Sequence, residues 1–283
     1  MDLTTLKTSD TFPLTCTRLG TCCHGHRIYI SAFELARIAM AMGTTPRLVR
    51  DSHLEDGGRR IRFEGPIGQH GPPAHRKPAC TFYSSVNGCR VHEHRPLACR
   101  LYPLGRHRVE GVIGYYHPTK ALPCLSLCPD VTTLPNKTVG EYLQEQHVTE
   151  HEIAHDGYAA LAYGMINAAV VITKHSGGSL ANLATSFAEL RILDGAALAQ
   201  HLTPTWVDAL TIPELNAGLP AADFVAQHGQ ALATRFQAVF LTDPAADALQ
   251  RAAKTYLLLA LYLSVAVGAD PDVMAIIINQ TTT

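Results

Sequence analysis

Eight cysteines, all within the first 128 residues of this 283-residue chain, are the side chains best suited to chemistry. They lie among Gly, Pro, His and Arg, whereas the apolar second half of the chain contains no cysteine. Thiols that only filled a core would also occur in that second half, because free cysteine is among the most buried residue types. Their confinement favours metal binding through thiolates. The candidate ligands are Cys16, Cys22, Cys23, Cys80, Cys89, Cys99, Cys124 and Cys128.

The spacing of the cysteines bears on which metal they bind. A structural zinc site usually presents two short chelating pairs, and only Cys124 and Cys128 have a comparable spacing. Cys22 and Cys23 are adjacent, and neighbouring side chains tend to diverge, so a polynuclear centre or two nearby sites suit them better than one ion. Thiolates suit zinc and iron–sulfur clusters about equally well. We expect iron, as an iron–sulfur centre, with zinc as the alternative.

The order of these residues resembles a known family. The blocks that carry the resemblance are Cys16-Thr-Arg-Leu19-Gly20-Thr-Cys22-Cys23, Cys80-Thr-Phe, Cys89-Arg-Val-His-Glu-His-Arg95-Pro96, Cys99-Arg100 and Tyr102-Pro103. They are similar to the YkgJ-type cysteine-cluster family, whose members are described as zinc- or iron-chelating proteins. The resemblance implies that the ligands are Cys16, Cys22, Cys23, Cys80, Cys89 and Cys99.

One position departs from the family pattern. Leu19 stands where the family has its second cysteine, so the implied ligand set is one thiolate short. The vacancy is filled by Cys124 or Cys128, by His24 or His26, or it leaves an iron with an open coordination position for a substrate. The resemblance supplies no reaction, so the chain is either a metalloenzyme of unknown substrate or a structural module that binds a partner.

Two arginines accompany the second cysteine group. Beside thiolates, Arg95 and Arg100 would offset negative charge or donate hydrogen bonds to sulfur, which tunes affinity and potential. The alternative is that both pair with acidic residues. We assign Arg95 and Arg100 to binding of the metal cofactor on the first interpretation.

A second metal motif lies further along the chain. His151, Glu152 and His155 match H-E-x-x-H, in which two histidines on one helical face bind zinc and the glutamate acts as general base. No third histidine follows at the metzincin spacing, and His147 extends the pattern to one stripe. The alternatives are a polar helix face, which we favour, an auxiliary metal site and a zinc peptidase.

Charge and texture divide the chain after residue 137. Residues 1–137 carry 18 of the 23 Lys and Arg and 10 of the 24 Asp and Glu, whereas residues 138–283 carry 5 and 14. The second part has the periodicity of long helices. We predict a mainly α protein with an α+β N-terminal part: an irregular Cys-rich metal-binding domain with short strands at 1–137, followed by a helical bundle-like domain at 138–283.

Local signals place individual elements. Ser31 can cap a helix over 31–42 with Glu34 in capping-box position, and Gly43 ends it. Strands are expected near 60–64, 105–109 and 112–116. Further helices are expected near 138–151, 153–175, 179–193, 220–241, 244–268 and 271–279. Asp243-Pro244 is a start signal for the helix near 244–268.

Partners and location follow from what the sequence lacks. No apolar run reaches the roughly 20 residues of a bilayer span, and the longest is Tyr256 to Ala269. Met1 to Asp10 is polar and has no export signal, so we expect a cytoplasmic protein with reduced thiols and no membrane partner. The acidic second half disfavours nucleic acid, which leaves an unidentified small molecule or protein as the partner. Nothing in the sequence specifies an oligomeric state.

Overall fold

The computed structural model describes residues 3–12, 20–65, 67, 76–109, 112–118, 135–240 and 246–280. The chain divides by spatial contacts into two compact units. The first unit comprises Met1–Ile28 and Ile61–Glu152, and the second comprises Tyr29–Arg60 and Ile153–Thr283. The boundary expected after residue 137 stays a prediction, because a division by contacts does not test which segment folds independently.

The charge asymmetry is smaller between these units than between the two halves of the sequence. The first unit contains 13 Lys and Arg against 10 Asp and Glu, and the second contains 10 against 14. The difference arises mainly because residues 138–152, which contain four glutamates and no Lys or Arg, belong to the first unit. The segment Tyr29–Arg60 moves little net charge, since its five arginines are accompanied by four acidic residues. Charge along the sequence therefore overstates the charge of the folded units.

The described strands are short and lie in the first part of the chain. They are β1 Leu3–Leu6, β2 Thr11–Phe12, β3 Leu54–Glu55, β4 Arg60–Ile61, β5 Phe63–Gly65, β6 Ala79–Cys80, β7 Tyr83–Ser84, β8 Gly88–Cys89, β9 Gly105–Val109, β10 Val112–Pro118 and β11 Lys137–Thr138. Antiparallel pairing joins β1, β10 and β9 in that order, and Leu6 lies opposite Tyr115. The strands expected near 105–109 and 112–116 are confirmed, and three further pairs, β2 with β11, β5 with β6 and β7 with β8, complete the first unit.

Helices make up most of the rest. They are α1 Ala32–Ala41, α2 Pro46–His53, α3 Leu97–Leu101, α4 Val139–Glu145, α5 Thr149–His175, α6 Leu180–Leu190, α7 Gly195–His201, α8 Pro204–Thr211, α9 Ala221–Phe240, α10 Ala246–Val267 and α11 Pro271–Gln280. The expected class, mainly α with an α+β N-terminal part, is confirmed. None of the described helices is both long and apolar enough to cross a membrane.

Two apolar clusters of very different size lie inside the described part of the chain. In the second unit, 33 buried residues form one cluster, and 31 of them come from α1 and from α5 to α11. The cluster includes the Phe33 and Phe224 rings, which lie 5.5 Å apart. In the first unit, the cluster built from α3, α4 and β10 has eight buried residues. It comprises Leu97, Leu101, Leu104, Tyr115, Val139, Tyr142, Leu143 and Val148.

The capping box predicted for α1 is present. The Ser31 hydroxyl accepts a hydrogen bond from the Glu34 backbone N–H at 3.4 Å, and the Glu34 carboxylate accepts one from the Ser31 N–H at 2.8 Å. Gly43 follows with φ +61°, a conformation that glycine adopts at little cost. The signal could be read because it is local: all of its donors and acceptors lie within four residues.

The break between α4 and α5 is a Schellman motif. His147 has φ +50°, and its N–H donates to the Gln144 carbonyl at 3.0 Å, while the Val148 N–H donates to the Leu143 carbonyl at 3.3 Å. Val148 and Leu143 are both buried in the first unit's apolar cluster, as the motif favours. The chain therefore turns at 146–148, with Gln146 as the last residue of helical conformation.

The helix prediction is wrong at one break and lacks one helix. The break expected near residue 152 lies at 146–148, so His147 precedes α5 and is not on one helix with His151 and His155. Helix α2 has no counterpart among the predicted helices, although Thr45 caps it and Pro46 occupies its first position. The start signal Asp243-Pro244 lies outside the described residues.

Candidate metal centre

Five of the predicted ligands lie on four short elements of the first unit. Cys22 and Cys23 occupy the 3₁₀ turn Thr21–Cys23, Cys80 ends β6, Cys89 ends β8 and Cys99 lies in α3. All five are free thiols and are half-buried. Cys16, Cys124, Cys128 and the position of Leu19 lie outside the described residues, so their place in the site stays a prediction.

Backbone pairing brings the vicinal cysteines to Cys80. The segment after Cys23 lies against the start of β6, where His24 bridges to Ala79 and the Gly25 N–H donates to the Pro78 carbonyl at 3.0 Å. This contact spans more than 50 residues of sequence. It explains how cysteines from both motif blocks reach one region.

A glycine allows the turn that carries the vicinal pair. Gly20 has φ +73°, and its carbonyl accepts a hydrogen bond from the Cys23 N–H at 2.9 Å. A Cβ at this position would lie 2.7 Å from Cε2 of Tyr83. Both the backbone conformation and the close ring exclude a larger residue at position 20.

The vicinal pair shares one negative charge. The Cys22 thiolate accepts a hydrogen bond from the Cys23 thiol, which lowers the pKa of Cys22 to about 7. The same bond, together with burial, raises the pKa of Cys23 above its ordinary value. One thiolate of the pair is therefore available at neutral pH, and the second proton must be displaced by a cation.

Burial and the charges of neighbouring thiolates favour the neutral form of Cys80 and Cys99. Burial raises the pKa of Cys80 to about 12, although the Phe82 N–H, 3.5 Å from its sulfur, acts in the opposite direction. Burial also raises the pKa of Cys99, and the charges of the Cys22, Cys80 and Cys89 thiolates raise it further. A bound cation would reduce this repulsion between neighbouring thiolates.

The chemical type of these donors suits a thiophilic metal. Zinc, or iron in an iron–sulfur cluster, would supply the positive charge that lets several of these thiols ionise together. Within the described residues, no group of three or more His, Cys, Asp or Glu side chains is spaced to hold an ion. The five described thiols influence one another's pKa, but their positions do not form a preformed metal site among the described residues.

The two histidines suggested for the vacant ligand position differ in environment. His24 is 3% exposed, its Nδ1 lies 3.0 Å from the Gly20 carbonyl oxygen, and its ring packs edge-on against Tyr83. His26 packs its ring against that of Tyr102 at 5.6 Å. That either histidine replaces the cysteine missing at position 19 stays a prediction.

The two predicted arginines are buried beside these thiols. Arg95 is 8% exposed and lies close enough to Cys22 and Cys99 to favour the thiolate form of each. Arg100 is 4% exposed, and its guanidinium donates to the backbone carbonyls of Arg95, at 2.9 Å, and Gln146, at 2.7 Å. Arg95 thus acts on the thiols by charge, whereas the described bonds of Arg100 hold the backbone around them.

The H-E-x-x-H residues serve different local contacts. In the first unit, His151 is buried, and Oε1 of Glu152 accepts a hydrogen bond from the Tyr115 hydroxyl at 2.7 Å and pairs with Arg106 Nε at 3.1 Å. In the second unit, His155 Nε2 lies 3.2 Å from Oε1 of the fully buried Glu34. Since Glu152 is tied to a tyrosine and an arginine, we do not propose it as the general base of a peptidase.

Gln146 is the residue that sequence analysis missed. Its side-chain oxygen accepts a hydrogen bond from Arg95, and its backbone carbonyl accepts one from Arg100. No sequence signal marks it, because 51 residues separate it from Arg95 and a glutamine near a helix end is ordinary. The structure alone connects α4 with the thiol region.

Comparison with known proteins agrees with the site. The family model named CxxCxxCC, described as "Putative zinc- or iron-chelating domain", matches residues 15–117. No curated protein and no solved structure matches the chain. The match covers both cysteine blocks, from Cys16 to Cys99, and more than a third of the chain. The resemblance to a cysteine-cluster family is thereby confirmed, and residues 15–117 are a domain similar to the zinc- or iron-chelating CxxCxxCC family.

Proposed function

We propose that this chain is a metal-binding protein whose first unit holds iron, as an iron–sulfur centre, through its clustered thiols. The observation that carries the proposal is the mutual electrostatic effect among the described cysteines. Burial raises the pKa of Cys99, and the charges of Cys22, Cys80 and Cys89 raise it further, so thiols from three other elements act on this one. The ligands in this proposal are Cys16, Cys22, Cys23, Cys80, Cys89 and Cys99.

Iron is favoured over a single zinc ion by number and spacing. A structural zinc ion takes four ligands in tetrahedral geometry, whereas five described thiols share this region. The adjacent pair Cys22 and Cys23 suits a centre with more than one metal ion. Arg95 adds positive charge next to the thiolates, which stabilises an anionic cluster.

A structural zinc site is the second candidate, and one observation favours it. The elements that carry the thiols are two to five residues long, and the first unit's apolar cluster is small. Structural zinc contributes folding free energy to domains of this kind. In that case the metal holds the loops, and the second unit is free to bind a protein partner.

Substitution of the central thiol tests the proposal. We expect Cys99→Ser, purified anaerobically as the full chain, to lose most of its bound metal, because the hydroxyl is a poor ligand for thiophilic ions. Ala98→Ser is the matched control, since Ala98 is the exposed neighbour in the same helix and gains the same side chain. Metal content by elemental analysis is the measurement. Wild-type metal content in Cys99→Ser would contradict the proposal.

A further inference from the structure

Arg95 is a buried cation with neutral hydrogen-bond acceptors. Its guanidinium, 8% exposed, donates from Nη1 to the His92 carbonyl and from Nη2 to the side-chain oxygen of Gln146. Among the described residues, no carboxylate forms an ion pair with it. A charge removed from water without a counter-ion is costly.

The ionisable groups near the Arg95 guanidinium are the thiols of the cluster. Arg95 lies two residues before α3, the short helix that carries Cys99, so its buried guanidinium belongs to the same part of the first unit as the thiols. Several thiolates around a zinc ion or an iron–sulfur cluster leave a net negative charge on the centre. Such an anion would supply a counter-charge to the buried guanidinium.

The acceptor on Gln146 is held in place by two separate features. The Schellman motif at the end of α4 fixes its backbone, through the bond from Val148 to Leu143. Arg100 then donates to the Gln146 carbonyl at 2.7 Å, which satisfies an acceptor left over at the helix end. Gln146 is 9% exposed, and its side-chain oxygen accepts the hydrogen bond from Arg95 while these two features fix its backbone.

We propose that Gln146 is a positioning residue, which holds the Arg95 guanidinium in place as the counter-charge of an anionic metal–thiolate centre. A neutral amide suits this role because it binds the guanidinium without cancelling its charge. A carboxylate of the same size would make a stronger bond to Arg95 and would remove the net positive charge from the site. The inference rests on the proposed function, since it presumes a metal held by the thiols.

Gln146→Glu separates an electrostatic role from a structural one. We expect it to keep the helical circular dichroism of the zinc-loaded chain and to weaken Zn²⁺ binding by about tenfold or more, the order expected for one added charge near an anionic site. Gln144→Glu is the matched control, since it adds the same charge at an exposed position of the same helix. The measurement is competition for Zn²⁺ with a chelator of known affinity, on the full chain in reducing buffer.

The results separate the two claims. If the wild-type chain binds no Zn²⁺, and no iron when purified anaerobically, the proposed function itself fails. If the wild-type chain binds Zn²⁺ and Gln146→Glu binds it as tightly as Gln144→Glu does, the role of Gln146 is refuted and the metal site stands.

Substitution of the arginine gives a second, independent readout. If charge is what matters, Arg95→Lys binds Zn²⁺ more tightly than Arg95→Gln does, because lysine keeps the charge and loses only the bidentate geometry. If Arg95 only braces the backbone, the two variants weaken binding equally, and the inference is overturned.

Discussion

The two units of this protein are stabilised by different means. In the second unit, a cluster of 33 buried residues, 31 of them contributed by eight helices, provides the hydrophobic driving force. In the first unit, the apolar cluster has eight buried residues, and the five described thiols lie on turns, two-residue strands and a single short helix. Short elements with little apolar burial are where a metal ion contributes most to folding. If the first unit binds a metal as proposed, this comparison predicts that the first unit depends on the metal for its stability and that the second unit does not.

The largest expected effect is the response of the two units to metal removal. We expect a chelator to lower the hydrogen-exchange protection of residues 76–109 by about two orders of magnitude or more, since the thiols no longer share a cation. Protection in α5, from Ile153 onward, should not change. Exchange followed by mass spectrometry gives both regions in one experiment. Equal loss of protection in both regions would remove the distinction between the units.

A buried charge makes the second unit sensitive to a single methyl group. Gly195 starts α7, and a Cβ there would lie 1.8 Å from Nη2 of Arg59. That guanidinium cannot move aside, because it pairs with Asp56 at 3.3 Å and donates to the Tyr262 carbonyl at 2.8 Å. We expect Gly195→Ala to destabilise the protein by about 2–4 kcal/mol in urea unfolding.

The same substitution at an open position is the control for this prediction. Gly164 lies exposed in α5, and a Cβ there would meet nothing within 4 Å. Gly164→Ala should raise the free energy of unfolding by about 0.5–1 kcal/mol, because alanine has the higher helix propensity. If Gly195→Ala were tolerated as well as Gly164→Ala, the packing around Arg59 would have to be looser than described.

A buried histidine should make the second unit sensitive to acid. His228 is fully buried, with Nε2 donating to the Ala209 carbonyl at 2.7 Å and Nδ1 accepting from the Tyr158 hydroxyl at 2.8 Å. Burial lowers the pKa of His228 to about 4, from an ordinary value of 6.5. Between these values the unfolded chain binds a proton that the folded chain does not, so stability is lost as the pH falls from 6.5 toward 4.

The pH effect is measured as a difference between variants. Between pH 7 and pH 5 we expect the wild-type free energy of unfolding to fall by about 2 kcal/mol more than that of His228→Gln. His201→Gln, a change at an exposed histidine of the same unit, should behave like the wild type. A parallel pH dependence of His228→Gln and wild type would show that this histidine is not the acid-sensitive group.

Sequence predicted those features whose partners are close along the chain. The capping box of Ser31 and Glu34 was predicted because its bonds span three residues. Helix α2 could have been predicted from Thr45 and Pro46, a cap followed by proline, and was overlooked. The turn at His147 carries no such signal, because glycine is the residue that ordinarily adopts a positive φ at a helix end.

The candidate site divides in the same way. The cysteines were predicted from their confinement, and their ligand roles from the family resemblance, because residue type and order carry that information. The bond between Arg95 and Gln146 joins residues 51 positions apart and depends on how α4 packs in the first unit. The pairing of Glu152 with Tyr115 and Arg106 is also tertiary, which is why the H-E-x-x-H pattern was open to several interpretations.

Metal and acid-labile sulfide content, determined together on the full chain purified without oxygen, tests the central claim most directly. The account predicts iron with a matching amount of sulfide, and this iron should be lost in Cys99→Ser. Zinc without sulfide would rule out the iron–sulfur centre and favour the structural zinc site. Purified chain that contains neither metal, and binds neither when they are supplied, would contradict the account.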